Sequence, residues 1–234
     1  MATSRILGMV QKMDLVGLVM QALNVATLMG SIGLKAPQIF RIWKLRSVTG
    51  IAETMVITEA LNSGLSTTYA FLKGFPFGTW GESAFIWVQT LMQVGLFWKF
   101  SPKLDLFPRY LAGIIYVLTF VVVLNHGHIL LDDFVIDTIG LIPSGLGTAS
   151  KIPQIWRNYS QGHTGTLSLI TWMLAWAGCV VRVATTVYFL KGDAVTLVGH
   201  ASAVFLNAIL IAQILIYWKK TNAVLEKEAG KKDE

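Results

Sequence analysis

Charge is scarce in this chain of 234 residues: Asp, Glu, Lys and Arg make up 14%, against 54% apolar residues. Mean hydropathy is accordingly high, at +0.59. That deficit excludes an ordinary soluble domain and reads as a polytopic membrane protein. There is one cysteine, Cys179, so no internal disulfide can form; inside an apolar stretch it is expected to pack as a small side chain. The first thirteen residues hold Arg5 and Lys12 but no small-residue cleavage site, which argues against a removable signal peptide. Metal-ligand spacing is also missing. His126 and His128 have no third ligand nearby, and Asp132-Asp133 has no spaced third acid. With no nucleophile beside a base and no phosphate-cradling glycine loop, the sequence points away from an enzyme and calls for no cofactor. The excess of basic residues, net +6, sits in short clusters between apolar runs. Such clusters orient a protein in a membrane; they do not form a nucleic-acid footprint.

What is present is a repeat. Lys35-Ala36-Pro37-Gln38-Ile39 returns as Lys151-Ile152-Pro153-Gln154-Ile155. Proline lacks an N–H and pushes against the carbonyl four residues back, Gly33 and Ala149, so each copy predicts a kinked helix end. In hydrocarbon the freed backbone group must find a partner inside the protein. The likeness continues beyond the prolines. Thr49-Gly50 pairs with Thr164-Gly165, Thr67 to Gly74 with Thr185 to Gly192, and Phe97-Trp98-Lys99 with Tyr217-Trp218-Lys219.

Seven stretches are long enough to cross a bilayer, near 15–42, 52–73, 82–100, 107–125, 134–157, 167–190 and 195–218. The fold expected is all-α: three helices, a linker, then three. The organisation is an N-terminus over 1–14, a first repeat over 15–100, a linker helix and loop over 101–133, a second repeat over 134–218 and a tail over 219–234. One linker crossing makes the repeats parallel, as in the SWEET sugar transporters. Arg41, Lys44, Arg46, Lys99, Lys103, Arg109, Arg157, Lys219 and Lys220 gather on one side, which predicts a cytosolic C-terminus and a lumenal N-terminus. His126, His128, Asp132 and Asp133 then fall in a lumenal loop, and Phe75-Pro76-Phe77-Gly78-Thr79-Trp80 reads as a lumenal turn.

Polar residues inside these segments recur at helical spacing. The stripes are Gln21, Asn24, Ser31 and Lys35; Glu59, Asn62, Ser63 and Ser66; Glu82, Gln89 and Gln93; Asp137, Ser144, Thr148 and Lys151; Thr171, Gly178, Arg182 and Thr185; and His200 with Asn207. The fourth segment has no interior charge, as a lipid-facing connector should. A shared polar interior is the simplest use of the stripes. Arg182, Lys35 and Lys151 would receive an anionic group such as phosphate, while Glu59, Glu82 and Asp137 balance charge or hold hydroxyls. The alternatives are that Arg182 is permanently paired with an acid, that the amides only bond helix to helix, and that Lys35 and Lys151 snorkel to the interface.

With its two Pro-Gln kinks, the chain resembles the PQ-loop repeat family. Phe75-Pro76-Phe77-Gly78-Thr79-Trp80-Gly81-Glu82 and Gly162-His163-Thr164-Gly165-Thr166-Leu167-Ser168, with Glu59, Arg182, Asn207 and Gln213, resemble specifically the mannose-P-dolichol utilization defect 1 family. That resemblance implies residence in the endoplasmic reticulum membrane. It also implies a role in the lumenal use of dolichyl-phosphate-mannose and dolichyl-phosphate-glucose, by binding or moving the lipid-linked sugar or by assisting lumenal glycosyltransferases. The residue-level expectation is a ligand site drawn from Arg182, Lys35, Lys151, Glu59, Glu82, Asn62, Asp137 and Asn207. Lys231-Lys232 has the form of a cytosolic retrieval signal. A proton-coupled carrier of a free sugar or amino acid, gated by Glu59 or Glu82, is the competing expectation.

Overall fold

The computed structural model describes residues 15–48, 51, 53–101, 105–165 and 167–230. The expectations for residues 1–14, Thr49-Gly50 and the Lys231-Lys232 signal lie outside the described residues. The described elements are all helical: α1 Leu15–Ser31, α2 Ala36–Leu45, α3 Glu53–Leu72, α4 Phe77–Phe100, α5 Leu106–Leu130, α6 Asp133–Ala149, α7 Ile152–Gln161, α8 Leu169–Phe189, α9 Ala194–Ile216 and α10 Trp218–Gly230.

The burial pattern is that of a protein dissolved in lipid. Among the described residues, 14 buried polar side chains accompany 13 buried apolar ones, while Leu15, Phe107, Ile170, Leu174 and Phe205 are exposed. A water-soluble fold buries its apolar residues first; here the exterior is apolar because its solvent is hydrocarbon. Four spans are long and apolar enough to cross on length and composition alone: Leu15–Leu45, Leu106–Leu130, Leu169–Phe189 and Ala194–Ile216. Of the other helices that were expected to cross, α6 has only 17 residues, and α3 and α4 carry more hydroxyl, amide and charged side chains.

Each expected Pro-Gln kink is in fact a break between two helices. α1 ends at Ser31 and α2 begins at Ala36, with Pro37 in the first turn of α2; α6 ends at Ala149 and α7 begins at Ile152, with Pro153 in its first turn. That position suits proline, because a first-turn N–H has no intrahelical acceptor to lose. The Gly33 carbonyl accepts instead from the Ala36 N–H at 3.1 Å.

Two other expectations change. His126 and His128 lie within α5, not in a loop, because Leu-Asn-His-Gly-His-Ile-Leu continues the helix while Gly127 packs on Leu72. The turn expected at Phe75-Pro76-Phe77 is shorter than the motif suggested. Pro76 is already the N-cap of α4 and Phe77 its first residue, the reversal being made by Gly74 at φ +66. Asp132, Asp105, Ser168 and Asp193 each accept a backbone N–H where a helix starts, fixing the onsets of α6, α5, α8 and α9.

Two compact units divide the chain, 1–143 and 144–234. The division falls at Pro143 inside α6, a proline not singled out in the sequence reading. The reason is that the start of α6 is tied to the first unit: Asp137 pairs with Lys73, and Gly140 packs on the Tyr69 ring. The first unit is built on α3 and α4, with α1, α2 and α5 packed against them, around a core of Val56, Ala60, Val94, Phe97 and Trp98. Its linker α5 buries only Phe120 and Gly127, leaving Ile114, Ile115 and Leu118 facing outward. α8 and α9 form the second unit's main pair, with α7 and α10 against α9.

Candidate functional site

In the first unit the helix break is held by side chains from two other helices. The Gln89 Oε1 on α4 accepts the Lys35 N–H at 2.9 Å, and its Nε2 donates to the Ser31 carbonyl at 2.8 Å. One amide thus gives the Lys35 N–H its acceptor and adds a second donor to the Ser31 carbonyl, which also accepts from the Leu34 N–H at 3.3 Å. The Lys35 ammonium reaches Glu59 Oε1 on α3 at 2.5 Å, with the two side chains 15% and 32% exposed. The Lys35 charge is therefore met by Glu59 inside the first unit.

In the second unit the Lys151 N–H finds a backbone acceptor, the Thr148 carbonyl at 3.1 Å, and a glutamine binds the next turn instead. Gln213 on α9 donates to the Ile155 carbonyl and accepts from Asn158 Nδ2, both at 3.0 Å, and Gln154 donates to Asn158 Oδ1 at 2.7 Å. This relay gives the Gln of the second Pro-Gln a direct task. Gln213 lies five residues before Trp218, as Gln93 lies five before Trp98. Where the second copy has Asn158, the first has the buried Ile42. Gln93 is fully buried and its amide has no hydrogen-bond partner among the described residues. The repeats thus agree in architecture and differ in which glutamine does the work. Asn158 could have been found by extending the repeat alignment by four residues, one helical turn beyond Gln154.

Lys151 donates to the Gly147 carbonyl at 3.3 Å, capping the end of α6. Asn207 on α9 is 1% exposed, with its Nδ2 against the Cys179 sulfur of α8 at 3.5 Å and its Oδ1 without a protein partner. Cys179 lies in the field of both Lys151 and Arg182, and His200 in that of Arg182. Lys151, Cys179, Arg182, His200 and Asn207 therefore form one basic polar cluster on the facing elements of the second unit. From 138 to 192 the sequence has no Asp or Glu, and Asp193 Oδ2 accepts from the Thr196 N–H and hydroxyl at the start of α9.

Asp137 joins Lys73 at 2.6 Å, both in the first unit. Asn62 has a buried Oδ1 with no protein partner, and Glu82 is half-buried on α4. Pro37 and Pro153 are exposed, and Gln38 is half-buried. Among the described residues no group of three metal-ligating side chains occurs. Sequence reasoning missed an ion-paired rim: Trp98 Nε1 and Arg109 Nε both donate to Glu53 Oε1, at 2.9 and 2.8 Å. The signal available was the isolated Glu53 at the start of α3.

A family model described as the PQ loop repeat matches residues 19–79 and 135–192, just over half of the chain, each match containing one Pro-Gln break. The chain is similar to human solute carrier family 66 member 3, at 24% identity over 196 residues, covering 84% of this chain and 93% of that protein. The fold is similar to that of a eukaryotic SWEET transporter solved at 3.7 Å resolution, with a TM-score of 0.66 and 13% identity over 88% of this chain and all of the other. Two matched repeats, each containing a Pro-Gln helix break with a glutamine of another helix bonded to its backbone, make this chain a member of the PQ-loop repeat family of polytopic membrane proteins.

Proposed function

We propose that this protein is a transporter-type membrane protein that binds or moves a phosphate-bearing solute, and that its ligands are dolichyl-phosphate-mannose and dolichyl-phosphate-glucose in the endoplasmic reticulum membrane. The observation carrying this reading is the gathering in the second unit of two cations, Lys151 and Arg182, whose fields both reach Cys179 beside the buried Asn207. Arg182 offers a planar fork for two phosphate oxygens, Lys151 a point charge, and Asn207 a buried carbonyl oxygen for a sugar hydroxyl. The solute-carrier relative and the SWEET-like fold support a transport role. The Phe-Pro-Phe to Glu82 and Gly162 to Ser168 stretches support the lipid-linked sugar.

The test is binding of labelled mannose-phosphate-dolichol to the purified full chain in nanodiscs. Wild type is expected to bind, and Arg182→Ala to lose about 10- to 100-fold, the range for a charge-assisted pair at about 1.5 to 3 kcal/mol. Absence of binding by the wild type overturns direct handling. Co-purification of a lumenal glycosyltransferase that survives Arg182→Ala would then shift the role to assembly. Replacing Lys231 and Lys232 by Ser is expected to release the protein from the endoplasmic reticulum, read by microscopy.

A second reading rests on the half-exposed Lys35–Glu59 pair. Here Glu59 is a proton-accepting gate beside the first helix break, and the cargo is a free sugar or amino acid. Acid-driven uptake into proteoliposomes that is lost in Glu59→Gln, with no dolichyl-phosphate binding, would favour it.

A further inference from the structure

The first unit contains an apolar slot of about 490 Å³ that the function above does not use. It runs between α3, α4 and α5, lined among others by Ile57, Leu61, Val94, Gly95, Gly113 and Val117. On α5 its lining extends from Tyr110 to Leu118. Eight residues at 1.5 Å each give about 12 Å, close to the roughly 15 Å of hydrocarbon in one leaflet. The inner end is plugged. Tyr116 accepts from Trp87 Nε1 at 2.9 Å and donates to the Ala60 carbonyl at 3.2 Å, while Phe120 stacks on Trp87 with centroids 3.9 Å apart.

The outer end carries charge of both signs. Trp98 lines the slot with its ring and donates its N–H to Glu53. Arg109 holds the same carboxylate through Nε and through Nη2 at 3.4 Å, and gives Nη1 to the Asp105 carbonyl at 3.0 Å. Three of its five N–H donors are thereby engaged, and its side chain is 30% exposed. An anionic head would have to compete with Glu53 for Arg109. A zwitterionic head laid antiparallel across the pair meets both charges without breaking it: phosphate on the remaining guanidinium donors, ammonium on the Glu53 carboxylate. A primary ammonium suits a carboxylate better than a trimethylated one, which has no N–H to give.

We propose that this slot is a binding site for a phospholipid with an ethanolamine-type head, one acyl chain lying between α3, α4 and α5 and the head on Glu53 and Arg109. The lipid belongs to the leaflet on the side where α4 ends and α5 begins. It seals the linker helix to the first unit where protein side chains leave a gap.

The test uses the full chain in nanodiscs with a trace of phosphatidylethanolamine carrying a photoreactive acyl chain, and maps crosslinked peptides by mass spectrometry. Labelling is expected on the slot-lining segments of α3, α4 and α5. Unlabelled phosphatidylethanolamine should compete at least about five-fold better than phosphatidylcholine or phosphatidylglycerol. Gly95→Leu should reduce labelling several-fold, since a Cβ there meets nothing within 4 Å and the added side chain enters open space. Labelling spread evenly over exposed helices overturns the proposal, as does equal competition by the three lipids. Better competition by phosphatidylglycerol or a polyisoprenyl phosphate overturns it too. These wild-type outcomes decide the matter whether or not Gly95→Leu folds; undiminished labelling of a folded Gly95→Leu also overturns it.

Discussion

Gln89 and Gln93 sit one helical turn apart on α4 and have opposite energetic roles. Gln89 bonds two backbone groups at the break; Gln89→Leu strands the Lys35 N–H in a low-dielectric interior, while the Ser31 carbonyl keeps the Leu34 N–H at 3.3 Å. At about 1 to 3 kcal/mol for a buried group left unmade, a loss of that size is expected, read as a fall in unfolding temperature in detergent. Gln93 bonds to no protein group, so Gln93→Met, nearly the same shape, is expected to leave that temperature unchanged or raise it. A large destabilisation by Gln93→Met would show that its amide is engaged. In the second unit Gln213→Leu should resemble Gln89→Leu, because Gln213 serves both Ile155 and Asn158. The sequence offered three glutamines with no means of ranking them; only their distance from the broken backbone does so.

Close approach between helices is set by missing side chains. A Cβ on Gly64 of α3 would run into the Tyr116 hydroxyl and the Trp87 indole, whereas one on Gly95 meets nothing within 4 Å. Gly64→Val should therefore cost roughly 1 to 3 kcal/mol by overpacking. Gly95→Ala should stabilise by about 0.5 to 1 kcal/mol through the backbone entropy of the unfolded chain. Paired thermal unfolding of the two variants checks both signs. Small residues matter at this scale because lipid tails give apolar helices no reason to leave them, so association depends on intimate packing and polar links. The extents of α3 and of the interior of α5 were legible from composition. That two spans were each broken into two helices was not, since proline has the same sequence signature at a kink as at a fresh start.

For the whole molecule, the asymmetry of Lys and Arg between loops fixes an expected orientation. An N-glycosylation acceptor added before Met1 should be modified and one added after Glu234 should not, read as a mobility shift sensitive to glycosidase. The reverse pattern would invert the positions assigned to Glu53 and Arg109 relative to the cytosol without altering their contacts.

The sequence by itself determined that the chain is helical, membrane-embedded and duplicated, because those properties follow from summed hydropathy, helical periodicity and repeated motifs, which are local. It placed Lys35, Glu59, Lys151, Arg182 and Asn207 on polar faces for the same reason. Tertiary structure decided what each face meets. Lys35 is neutralised by Glu59, Asp137 is taken by Lys73, and Glu53 collects Trp98 and Arg109 from 45 and 56 residues away. Partner choice between charges depends on distances of a few ångströms between helices far apart in the chain, and no periodicity along a single segment encodes it.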